Sequence, residues 1–127
     1  MGFKRHGIET RFEAGNDLFV VAYKFFVYTP HGLTLPFAKR KMGLVPVGIE
    51  LVAPDALAPD AARANWPVGW YCYSDTASAR ASADTYRRNT GAEVEVREVL
   101  LRSLEVAGYE EGLPVVTGLR MTVGATV

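Results

Sequence analysis

The sequence has one cysteine, two histidines and no excess of charge of either sign. A lone thiol, Cys72, permits no internal disulfide, which fits a reducing, cytoplasmic setting. His6 and His31 stand apart, without paired ligands, so no metal site is expected. Fourteen Lys and Arg balance fourteen Asp and Glu, and the chain lacks the positive excess that displaces counterions from DNA or RNA. Long nucleic acid is therefore not an expected partner, whereas a small anion held by local cations is. The longest apolar run, Leu18 to Tyr28, falls short of bilayer length and contains Lys24, so no membrane partner is expected. Met1-Gly2-Phe3-Lys4-Arg5-His6 leads into polar residues and not into the apolar stretch of a secretory signal. Glycine-rich phosphate loops and the Gly-x-Ser-x-Gly elbow are also missing, and no motif implies a cofactor or a catalytic set.

What is present is a chain of 127 residues, 49% hydrophobic and 22% charged. That is the composition of one globular domain over 1–127, with residues 1–16 expected to be loosely ordered. The charge is unevenly placed: Lys39-Arg40-Lys41 forms an early basic trio, and acidic residues predominate after residue 50. Leu18–Tyr28 is rich in aromatic and β-branched residues and stops at Thr29-Pro30-His31-Gly32, which predicts a long strand and a turn. Leu33 to Phe37 reads as the return arm of a hairpin, and Leu44 to Val52 as a further extended stretch. Residues 53–69 are loop-like, with a short helix expected around Pro59 to Ala64.

Trp70-Tyr71-Cys72-Tyr73 predicts a short strand, after which Ser74 or Asp75 caps an Ala-rich helix that Gly91 ends. Ala77 with Ala81, and Ala79 with Ala83, repeat at four-residue spacing and suit close packing on a sheet. From Glu93 the period becomes two, with Val94, Val96, Leu100, Leu104 and Val106 on one side. After an expected loop at 108–114, alternation resumes from Val115 to Val127. The fold class expected is α+β: a β-rich, mostly antiparallel sheet of five to seven strands with one main helix over about 75–89.

Several residues carry chemistry worth weighing. Cys72, just before a helix, reads either as an activated thiol or as a small buried hydrophobe. His31 reads as an exposed turn residue. Glu98 and Arg102 interrupt the apolar alternation and read as an ion pair, with a catalytic carboxylate as the other possibility. The most suggestive constellation sets the aromatics Trp66, Trp70, Tyr71 and Tyr73 before a helix bearing Arg80, Asp84, Arg87, Arg88 and Asn89. Aromatic faces stack bases and guanidinium forks grip phosphates. Trp70, Tyr71, Tyr73, Arg80, Arg87, Arg88 and Asn89 are thus the expected ligand-binding set for a small anionic, nucleotide-like molecule. The bland alternative is a core of aromatics under a solvated face of i,i+4 pairs.

Gly69-Trp70-Tyr71-Cys72-Tyr73-Ser74-Asp75 leading to the Ala-rich helix, followed by Val94-Glu95-Val96-Arg97-Glu98-Val99, resembles small phage and prophage domains. Among these it is similar to the anti-Thoeris sponges that sequester cyclic ADP-ribose-type signals. The resemblance implies a homo-oligomeric binder that is not an enzyme, with Ala77 and Ala81 as helix contacts. A second likeness runs to small ADP-ribosyltransferases, through Tyr71-x-Tyr73 and the upstream His6-Gly7. It implies NAD consumption, with Glu98 or Glu105 as the late carboxylate. A third expectation is a structural or assembly protein without a pocket.

Overall fold

The alternation from Glu93 onward is met by one uninterrupted strand of seventeen residues. The computed structural model describes residues 6–36, 43–53 and 69–127. In chain order its elements are β1 (His6–Arg11), β2 (Phe19–Thr29), β3 (Gly32–Thr34), β4 (Glu50–Val52), β5 (Trp70–Tyr73), α1 (Thr76–Thr90), β6 (Val94–Glu110) and β7 (Leu113–Thr126). The fold is α+β, with one helix on a seven-stranded antiparallel sheet among the described residues. The expected helix at Pro59 to Ala64, the basic trio at 39–41 and Trp66 lie outside the described residues.

One edge of β6 pairs with β2 from Val94 to Arg102 and then with β1 from Val106 to Glu110; the other edge pairs with β7. β5 pairs with β7 at four positions and meets β2 at one, Tyr23 opposite Tyr73. The sheet thereby closes on itself through β2, β6, β7 and β5. All four strands contribute to one interior core, which includes Phe26, Cys72, Leu101, Met121 and Val123. Alternation then assigns the other faces. Trp70 and Cys72 join this interior, while Tyr71 and Tyr73 turn toward a second core beneath α1, with Phe25, Val96, Ala79 and Ala83.

β6 serves both cores. Val94 and Val96 face the helix, whereas Val99 and Leu101 face the interior, so the even-numbered apolar series does not run through the middle of the strand. Ser103, at φ 53°, then changes the parity and returns Leu104 to the interior, and a register shift follows between Leu104 and Val106. The loop expected at 108–114 is instead continuous strand around a two-residue turn, Glu111-Gly112, at φ 50° and 82°. Two positive φ values are what a tight I′ hairpin turn needs. The stretch expected from Leu44 to Val52 is strand only over Glu50–Val52, with a single bridge from Val45 to Leu33.

The helix begins and ends where its caps dictate. Asp75, with extended backbone, accepts a hydrogen bond from the Ser78 N–H at 2.6 Å. Gly91, at φ 74°, donates its N–H to the Arg87 carbonyl at 2.8 Å, and Arg87 and Arg88 sit at the negative end. Ala79 and Ala83 are buried, but Ala77 and Ala81 are exposed, so only one of the two alanine pairs packs on the sheet. Asp75→Ala removes the acceptor and should cost about 1 kcal/mol, read from the urea midpoint, while Asp75→Asn should recover most of it. Equal losses in both variants would show that the cap does not act through this hydrogen bond.

Candidate functional site

The helical arrangement separates the aromatic and arginine groups that the sequence sets side by side. Trp70 is buried and donates its indole N–H to the Leu51 carbonyl at 2.9 Å. Tyr73 is buried with its hydroxyl 2.7 Å from Ser82 Oγ, and Tyr71 is half-buried against the second core. Arg80, Arg87, Arg88 and Asn89 are exposed. The face that buries Ala79 and Ala83 turns Arg80 and Arg88 to solvent, and Arg87 and Asn89 are exposed in the last turn of the helix. Asp84 pairs with Arg87 at 2.7 Å, three residues on, and Arg88 reaches Thr85 Oγ1 at 3.4 Å. The structure therefore does not bring the aromatic faces and these arginines into one cleft.

Cys72 is fully buried, and burial pushes its thiol up to about 11. That is the opposite of activation, and the small-hydrophobe reading applies. Beside it, Lys24 occupies the inward parity of Ala22 and Phe26. The residue is half-buried overall, but its ammonium is enclosed and donates to the Tyr71 carbonyl at 2.7 Å. Burial lowers the Lys24 ammonium below its ordinary value, with Cys72 and Glu110 opposing the shift. Burial raises the Tyr71 hydroxyl, which the hydrogen-bonded Glu110 carboxylate raises further.

The Glu98–Arg102 pair does not form. Glu98 is exposed, and Arg102 turns to Glu50, a residue from the distant strand β4. Glu95 is half-buried, accepting from Arg97 at 3.4 Å and from Thr126 at 2.9 Å. Glu98, Tyr23 and Tyr73 do lie in one cross-strand row, although the Tyr73 hydroxyl is already engaged with Ser82. Glu105 is half-buried, and burial raises its carboxyl while Arg11 opposes the shift. His31 is exposed in its turn, and His6 lies in β1 opposite Glu110. Among the described residues, no group of three or more His, Cys, Asp or Glu could hold a metal. No helix among them is long and apolar enough to cross a membrane.

A different cleft sets two arginines beside two carboxylates. Its volume is about 310 Å³, and Asn16, Asp17, Glu50, Arg102, Ser103 and Arg120 line it with Gly15. Arg102 and Arg120 stand directly opposite each other on β6 and β7. Like charges so placed repel, and a counter-charge relieves them. Glu50 supplies one, with Oε1 at 3.2 Å from Arg120 and Oε2 at 3.7 Å from Arg102. Asn16 fixes the far wall: its amide donates to the Glu13 and Leu104 carbonyls at 2.7 and 2.8 Å, and its oxygen accepts from the Leu104 N–H at 3.2 Å. Sequence spacing did not point to this cleft, because its two arginines meet through strand register and its carboxylate comes from far upstream. The only local signal was the break in alternation at Arg102 itself. The chain matches no protein family, no curated protein and no solved structure.

Proposed function

We propose that the protein is a cytoplasmic, non-catalytic binder of a small nucleotide-derived anion, whose phosphate or carboxylate group sits between Arg102 and Arg120. The observation that carries this reading is the position of Glu50, a carboxylate shared by two guanidinium groups from adjacent strands. A ligand's anionic group would take that place. The side chains of Arg102 and Glu50 are 55% and 33% exposed, so their ion pair is worth no more than about 1 kcal/mol and is readily exchanged. Phosphate accepting paired hydrogen bonds from two guanidinium forks is a stronger partner. The cleft volume also falls at the small end of the range for small-molecule sites. Sequestration of a cyclic ADP-ribose-type signal is the specific form of this reading that the likeness to anti-Thoeris sponges implies.

Native mass spectrometry with ADP-ribose and cyclic nucleotides tests it. The expected result is intact bound ligand and a raised melting temperature, since a native-state binder stabilises the fold. Arg102→Ala and Arg120→Ala should each weaken binding about tenfold or more, equivalent to about 1.4 kcal/mol. Glu50→Gln should tighten it by removing a competing carboxylate. Cleaved ligand would indicate an enzyme, in line with the ADP-ribosyltransferase likeness. Binding lost in Arg87→Ala and kept in Arg102→Ala would return the site to the helix.

A further inference from the structure

β2 has one edge that is only partly used. Its first edge pairs with β6 from Phe19 to Val27 without a break. On the other, β5 meets it at Tyr23 and β3 at Val27 to Thr29. Among the described residues, nothing pairs with that edge from Phe19 to Ala22. The same short segment shows unusual apolar exposure: Phe19 is 64% and Val21 49% exposed, with Leu18 beside them. Folded proteins guard such edges with Lys, Pro or a bulge, and Leu18-Phe19-Val20-Val21-Ala22 contains no charge, no proline and no register shift.

We propose that this edge pairs antiparallel with the same edge of a second copy, making one continuous sheet across a two-fold axis. An unpaired backbone edge calls for a strand, and the face pattern selects which one. In an antiparallel ladder, directly opposite residues share a face. With the axis at Val20, Phe19 of each copy lies opposite Val21 of the other, while Leu18 lies opposite Ala22. Odd-numbered positions then all remain outside, and no charged residue enters the pairing. Leu100, opposite Val21 within each chain, extends the apolar stripe on both sides. Arg102, opposite Phe19 within each chain, closes its two ends with like distance from the axis. A shift of the axis by one residue, to Val21, would put the second copy's strand against Tyr23, where β5 already pairs. A shift the other way, to Phe19, would set Asp17 opposite Val21 and Asn16 opposite Ala22, so the apolar segment is complementary to itself in one register, which favours a second copy over a foreign strand. An isologous contact of this kind closes as a dimer.

Sedimentation of the full chain across a wide concentration range tests the proposal without any ligand, so its outcome is independent of anion binding. The expected result is a concentration-dependent dimer. Phe19→Lys and Val21→Glu should each sediment as monomers with unchanged circular dichroism. Mixed in equal amounts they should form a heterodimer, because the axis at Val20 sets the new lysine opposite the new glutamate. Phe19→Thr, which keeps strand propensity, should weaken the dimer about tenfold, equivalent to about 1.4 kcal/mol, and serves if the charged variants fail to fold. A wild-type chain that stays monomeric throughout overturns the proposal. So does a dimer that survives both charged variants, or a mixture that stays monomeric. Capture of an unrelated β-strand peptide by a monomeric chain would assign the edge to a foreign partner.

Discussion

Gly69→Ala is expected to lower stability by about 2–6 kcal/mol, a large part of what holds a domain of this size together. Two costs coincide. Gly69 has φ 96°, which an L side chain adopts only under strain. A β-carbon there would also lie 2.5 Å from the Gly118 carbonyl oxygen and 2.9 Å from its carbon. Both are backbone atoms of β7, so relief requires β5 to move off its partner. Trp70, the next residue, pairs with Gly118 and ties β4 through its indole N–H, so the displacement would spread to a second strand. Gly7→Ala is the matched control: a β-carbon there meets nothing within 4 Å and no positive φ is involved. It should change the urea midpoint by no more than about 0.5 kcal/mol. Similar losses in the two variants would mean that β5 does not rest on β7 as closely as described.

Raising the pH should remove about 3 kcal/mol of stability that a variant without Cys72 does not lose. Burial raises the thiol to about 11, two units above its ordinary value of 9.0, and each unit is worth about 1.4 kcal/mol. The folded state therefore holds this proton more tightly than the unfolded chain. Its contribution is fully present below about pH 9 and disappears as the pH rises through about 11. Lys24 acts in the opposite sense: its folded ammonium is lowered from 10.5, so the unfolded chain binds more protons and stability rises with pH up to that value. Tyr71 and Tyr73, both raised, add alkaline losses of the same sign as Cys72. Comparing wild type with Cys72→Ala reads the thiol together with its coupling to Lys24 and Tyr73, both of which it raises. Urea midpoints at pH 8, 9.5 and 11 should diverge progressively. Parallel profiles would show that the thiol is not buried in the folded state.

The elements were readable where a local rule decided them. β-branched and aromatic density marked β2, and Asp75 and Gly91 marked the ends of α1 within a residue. Faces were harder. Val99 and Leu101 look like exceptions to an even-numbered stripe, but they belong to the interior core, while Val94 and Val96 of the same strand serve the core beneath α1. Ala77 and Ala81 fit the spacing of a packed pair as well as Ala79 and Ala83 do, and only the angle at which the helix lies selects between them. The site was the least legible part. Arg102 had an apparent partner four residues away in Glu98, yet register placed it against Arg120 and brought Glu50 to both. No periodicity in one strand reports which residue of another lies opposite it.

The I′ turn at Glu111-Gly112 has a consequence for the order of folding. β6 and β7 follow each other directly, so their long hairpin needs almost no loop closure, and hairpins of this kind form in microseconds. Every remaining contact of the ring joins segments distant in sequence, and the last link, Tyr23 to Tyr73, is one residue pair wide. High contact order slows such steps. The hairpin should therefore appear as an early, protected unit in pulse-labelled hydrogen exchange, with β2 and β5 protected later and together.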